Sequence, residues 1–256
     1  MSRQPGAAYN ESNDEEAGVK AAKKFGGAVG PVAAVAPEDH RVRVAREKRA
    51  RMRTHLLNSV FSVCSGEKNR DPAVIDDVVR HACVSRGTFY KYFDSLDIAI
   101  SELGLQMADE MTAGILSVYD VVEDPVLRTA TGFQMFLLRA HIEPQWGAFI
   151  AHIGVLRGDN LLTRKIRKDI ELGIHSGDYA VASVNVATDL LMGAKIEAIR
   201  RIIAGGTKAA YIQTMASMVL RAFGVSASKA DKSVQKAFAR LNVEAPSKIQ
   251  WWRPVT

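Results

Sequence analysis

Cysteine is scarce in this chain: Cys64 and Cys83 are the only two in 256 residues. That number excludes a disulfide framework and a cysteine-based metal set. It leaves a redox-sensitive pair or two small buried hydrophobes, and the second is the simpler reading. No apolar run approaches the roughly 20 residues of a membrane-spanning helix. The N-terminus carries acidic residues at Asp14 to Glu16 and no signal-peptide pattern. Together these absences predict a cytoplasmic protein in a reducing compartment, with no membrane partner. Catalytic signatures are missing too. There is no nucleophile-elbow serine, no glycine-rich phosphate loop and no His-Glu metal helix. The expectation is a chain that is not an enzyme and needs no cofactor and no metal. No internal repeat is found.

What the chain does have is unevenly placed positive charge. The net charge is +6, but residues 1–40 carry −2, residues 41–93 carry +7 and residues 94–256 carry +1. A local excess of Arg and Lys is the footprint of a phosphate-neutralising surface. A hydrophobic content of 47% leaves ample apolar material for a core. Residues 1–40, with Gly26-Gly27, Gly30-Pro31 and few large apolar groups, read as a disordered extension. The run from His40 to Arg53 places Arg41, Arg43, Arg46, Lys48, Arg49, Arg51 and Arg53 ahead of and into a first helix. A flexible basic arm of this kind lies along phosphates or enters a minor groove; the plainer reading is a solubilising tail.

Three helices are predicted next. Leu57, Val60, Phe61 and Cys64 repeat at helical spacing and define a first helix over about Ala45 to Gly66. Asp71-Pro72 is a start signal for a second, whose inner face is Ile75, Val78, Val79 and Ala82. Ser85 is an N-cap candidate for a third. On that helix Phe89, Tyr92 and Phe93 share one face, while Arg86, Thr88, Tyr90 and Lys91 present donors on the other. An aromatic back with a cationic, hydroxyl-bearing front suits insertion into a DNA groove.

The stretch AVIDDVVRHACVSRGTFYKYFDSLDIAISEL resembles the DNA-binding region of the TetR/AcrR repressors, through the spacing of Ala82, Val84, Ser85, Gly87, Thr88, Tyr90 and Phe93. The resemblance covers roughly Arg46 to Leu103. Three positions depart from the family pattern. Cys83 stands at the usual turn glycine, Val74 at a phosphate-holding threonine, and Leu96 at a common lysine. The resemblance implies an all-α fold, with a three-helix helix-turn-helix domain followed by a larger helical ligand-binding and dimerisation domain. Its boundaries are expected at 1–40 for the extension, 41–94 for the DNA-binding domain, 95–241 for the larger domain and 242–256 for a C-terminal tail. It also implies DNA contacts from Arg49, Arg51, Arg53, Ser85, Arg86, Gly87, Thr88, Tyr90, Lys91 and Tyr92.

In the larger part, Ser95 can cap a long helix and Asp124-Pro125 and Glu143-Pro144 punctuate the next ones. Segments from about Val184 to Ala204 and from Thr207 to before Gly224 are apolar on more than one face. The resemblance makes them a dimer interface, with Val219 a candidate contact; internal packing alone is the other reading. Met107, Met111, Phe133, Phe136, Trp146, Phe149, His152 and Met192 are the candidates for lining an effector cavity. Aromatic and Met stripes at helical spacing are also ordinary core, and His141 and His152 are as easily satisfied core or surface groups.

The expected function is a one-component transcriptional regulator, a repressor, bound as a homodimer to a pseudo-palindromic double-stranded DNA operator. A small apolar or aromatic effector would release it. The alternative is an effector-independent nucleoid-associated or architectural DNA-binding protein.

Overall fold

The computed structural model describes residues 40–66, 73–119, 122–153 and 160–255. The expected disordered extension, the Asp71-Pro72 start signal and the Gly158-Asp159 break lie outside the described residues. Those described form ten helices and no strand. They divide into two units, with the boundary between Glu47 and Lys48.

Of the first unit only His40–Glu47 is described. It is the opening of α1 (His40–Cys64), and all its residues are exposed. The basic run was expected as a flexible arm but is helical. Arg, Lys, Glu and Ala are strong helix formers, and Arg43 and Glu47 sit at i,i+4, 3.9 Å apart.

In the second unit, the remainder of α1 meets α2 (Ile75–His81) and α3 (Arg86–Tyr90). Leu56, Val60, Val78, Phe89 and Phe93 are buried among them. Full burial of one such side chain stabilises by roughly 1.5–3 kcal/mol. Helix α2 begins at Ile75, with Val74 as a cap that offers no side-chain hydrogen bond. The turn to α3 carries Cys83 at φ +53°, the left-handed region that favours glycine. Cys83 is exposed and Cys64 buried, so the reading of both as buried hydrophobes holds for Cys64 alone. Burial pushes the Cys64 thiol up to about 11.

Ser95 accepts a hydrogen bond from the Ile98 amide at 3.2 Å, as expected of a cap, at the head of α4 (Leu96–Tyr119). Helix α5 (Pro125–Ile142) is capped by Asp124, which accepts from Val126 and Leu127. Within the second unit it is packed against α4, α6 (Pro144–Ile153), α7 (Leu161–His175), α8 (Val184–Ile203), α9 (Ala209–Ala222) and α10 (Ala227–Lys248). Fourteen of its eighteen residues are buried, so it must be apolar on nearly every face. Gly173 of α7 is where Tyr179 folds back: a Cβ there would sit 2.2 Å from the ring.

The last stretch departs from expectation. The chain was read as a tail from 242 onward, after the last residue of the apolar stripe, Leu241. Instead α10 continues to Lys248 with Pro246 in its final turns, and Trp251 and Trp252 are buried. Arg139 explains the anchoring. This buried guanidinium lies 4.7 Å from the Trp146 ring centroid and 5.2 Å from that of Trp251. It also donates to Glu110 at 3.0 Å and to Glu143 at 3.1 Å.

Candidate functional site

Two regions of the second unit carry chemistry. The first is the outer face of α3. Ser85 has extended backbone angles, and its hydroxyl accepts from the Thr88 amide at 3.1 Å. Its Oγ also lies 3.0 Å from the Thr88 hydroxyl. The pair therefore caps and stiffens the helix start. Phe89 turns inward, stacked 5.5 Å from Phe93. That leaves Arg86, Gly87, Tyr90 and Lys91 exposed together, with Tyr90 at 53%. A Cβ added to Gly87 would meet only Ser85 Oγ at 3.8 Å, ordinary contact. The chain's own packing does not call for glycine there.

Several expected contacts have a more particular geometry. Arg86 reaches back from α3 and donates through Nε and Nη2 to both carboxylate oxygens of Asp76 on α2. The hydrogen bond from Arg86 holds the Asp76 carboxyl below its ordinary value. Arg53, expected on DNA, is spent inside the protein instead. It donates to Glu102 at 2.9 Å, to the Tyr92 carbonyl at 3.0 Å, and lies 4.4 Å from the Phe93 ring centroid. Arg53 thus ties α1 to the end of the helix-turn-helix and to α4. Arg49 lies 6.0 Å from the ring centroid of half-buried Tyr92. Arg51 is exposed on α1. The His55 ring hydrogen-bonds the Ala82 carbonyl at 2.9 Å, a tie from α1 to the tight turn that no sequence signal suggested.

The second region is a cavity of about 40 Å³ among α4, α5, α7 and α8. Thr112, Ile115 and Leu116 come from α4, Phe133 and Phe136 from α5, Leu162 and Ile166 from α7, and Leu191 from α8. Of the eight expected cavity residues, Phe133 and Phe136 line it. Met111, Trp146 and Phe149 are buried core instead. Trp146 lies 5.9 Å from Phe136, and Phe149 lies 5.6 Å from Phe61 of α1. Met107 and Met192 are half-buried against the core, away from the cavity wall. The side chain of His152 lies outside the described residues, and half-buried His141 is not among the lining groups. Trp146 and Phe149, expected at a cavity wall, are buried in the core among the described residues. The aromatics of α6 face inward to α5 and α1, because α6 has a helix on each of those sides.

The cavity also has polar walls that sequence reasoning missed. Arg128 donates to Asp169 at 2.8 Å, with both side chains largely buried. Lys165 stands on the half-exposed side. Lys195 of α8 is 1% exposed, and its Nζ lies 4.0 Å from the Phe136 ring centroid. Desolvation lowers its pKa from 10.5 to about 7. A signal for both charges existed. Lys195 falls on the inner stripe Leu191, Ala198, Ile199 and Ile202, and Asp169 on that of Leu162, Ile166 and Ile170.

Residues 124–236 match the family model of the "Tetracyclin repressor-like, C-terminal domain". No curated protein matches the chain. Among solved structures, the chain is similar to RolR in complex with resorcinol, at 24% identity and a TM-score of 0.59, over 75% of this chain and 96% of that one. It is similar to a structure described as a tetR family transcription regulator from Shewanella sp. PV-4, at 17% identity and a TM-score of 0.56, over 67% and 97%. A gamma-butyrolactone receptor, ArpA-like, follows at 13% identity and a TM-score of 0.52, over 76% and 98%. At these identities the structural likeness carries the fold. The family match assigns residues 124–236 to a tetracyclin repressor-like C-terminal domain.

Proposed function

We propose that this chain is a repressor that binds a pseudo-palindromic operator as a homodimer and leaves it when a small molecule enters the α4–α5–α7–α8 cavity. The observation that carries the reading is the double engagement of α4. Its first turns hold Glu102, bound to Arg53 of the helix-turn-helix region. Its later turns supply Thr112, Ile115 and Leu116 to the cavity wall. A 24-residue helix is a rod of about 36 Å, so a ligand that shifts its cavity end moves the DNA-facing end as well. Release also needs a ligand that binds the DNA-incompetent arrangement more tightly than the other. The likeness to RolR, which holds resorcinol, and to a gamma-butyrolactone receptor is in keeping with a small oxygen-bearing effector.

On DNA, Arg86 exchanges its exposed pair with Asp76 for a guanine edge. Gly87 allows close approach, and Tyr90 and Lys91 hold phosphates. Arg49 and Arg51 add backbone contacts. Duplexes selected by the purified chain from a random library should share two half-sites about 34–36 Å apart. Arg86→Ala should lower affinity for the selected site by about 1–3 kcal/mol and change binding to random DNA less. Tyr90→Phe should weaken both alike. Selection that recovers no common sequence would replace this reading by an architectural role.

A further inference from the structure

We propose that the α4–α5–α7–α8 cavity is an organic-anion site, in which the buried ammonium of Lys195 receives the carboxylate head of a small ligand with an apolar body. This rests on the reading of the cavity as the effector site.

Three observations carry it. Lys195 is 1% exposed and lines the cavity, and among the described residues no hydrogen bond or ion pair reaches its Nζ, which lies against the Phe136 ring. A buried ammonium without a counter-ion is costly to the fold and is the strongest unmet demand in this wall. The charge around it is unbalanced. Arg128, Lys165 and Lys195 face the cavity against one carboxylate, Asp169, which Arg128 already engages. No titratable side chain of α6 or α9 lines it. Finally, about 40 Å³ accommodates a head group and not a whole ring, since a cavity that admits benzene measures about 150 Å³. The head therefore sits at Lys195 between Phe133 and Phe136. The apolar body extends past Leu116 and Ile166, both half-exposed, towards Lys165.

The proton balance follows from desolvation. Free Lys195 titrates at about 7. A bound carboxylate favours the ammonium and raises that value. A complex formed above pH 7 must therefore take a proton from solvent. Affinity should be flat below pH 7 and fall above it, by at most about tenfold per unit, because no more than one proton is bound per ligand.

Acetate and benzoate, each beside its neutral amide, are the probes for isothermal titration of the full chain at pH 6, 7 and 8.5, in buffers of different ionisation enthalpy. At least one carboxylate should bind ten-fold or more tighter than its amide at pH 6, with proton uptake at pH 8.5 that its amide lacks. Lys195→Met should abolish both the preference and the uptake. An amide that matches its acid, binding with no proton uptake, a variant that keeps the preference, or no binding by either acid at millimolar concentration would each overturn the anion site. The wild-type proton count stands even where the variant misfolds. Carboxylate binding that leaves DNA affinity unchanged would keep the anion site and overturn the effector reading. DNA release by the amides alone would do the reverse.

Discussion

A single lysine decides more about this protein than its surface charge does. Lys195 occupies an inner position of α8 with its ammonium against Phe136. Its folded-state pKa of about 7 lies below the ordinary 10.5. Between those values the unfolded chain binds the extra proton, so stability rises with pH across that window and is lowest below it. At pH 6 the folded protein carries the full cost, on the order of 5 kcal/mol. Lys195→Met should therefore be the more stable protein at pH 6 in urea unfolding. Its lead should narrow by about 1.4 kcal/mol per pH unit above pH 7. A constant difference between pH 6 and 9.5 would show that the ammonium is solvated. The lysine was visible in the sequence on the Leu191–Ile202 stripe, but position on a stripe does not say whether a carboxylate stands opposite. By pattern alone Asp169 was a candidate for that partner; it is engaged by Arg128. Arg53 teaches the same lesson in reverse. It sits in a basic run, yet its donors face Glu102 and the Tyr92 carbonyl.

At the scale of elements, the punctuation of the chain was largely legible. Ser85, Ser95 and Asp124 cap the helices they were expected to cap, because a cap is a contact between residues two or three apart. The helix-turn-helix turn is equally local. Cys83 at φ +53° bears a Cβ in a conformation that costs an L-residue roughly 1–2 kcal/mol. Cys83→Gly should stabilise the protein by about 0.5–1 kcal/mol, after the added chain entropy of glycine is subtracted. Cys83→Ala keeps the Cβ and should leave the urea midpoint unchanged. Equal midpoints for the glycine and alanine variants would mean the turn is unstrained. Helix ends set by distant partners were less legible. The stretch after Leu241 looked like a tail because the apolar stripe of the last helix ends there. The Arg139 site for Trp251 comes from α5, more than a hundred residues earlier.

At the scale of the whole molecule, the proposed dimer face must be redrawn. Val219, chosen because it lies off the main stripe of α9, is 4% exposed and belongs to the core of one chain. The outward face of α8 carries Val186 at 68% and Leu190 at 47%, and α9 adds Met218 at 53%. These are the side chains free to meet a second copy across a two-fold axis. Leu190→Glu should give monomers by light scattering at micromolar concentration. Because Leu190 is half in solvent, the variant should keep its stability within about 0.5 kcal/mol. Operator affinity should fall, since one half-site is then held alone. A Leu190→Glu protein that stays dimeric would move the interface elsewhere. No helix among the described residues is long and apolar enough to cross a membrane.

The sequence by itself determined the all-helical class, the helix-turn-helix and the outward donors of α3, because periodicity and capping act within one or two helical turns. Tertiary structure decided which apolar faces are internal, where the cavity lies and which charges are left without a partner. Those depend on which helices stand opposite one another: α6 turns Trp146 and Phe149 into core, while α4, α5, α7 and α8 enclose Phe133, Phe136 and Lys195 around open space. A stripe on one helix records that it is buried; the space beside it exists only once four helices have met.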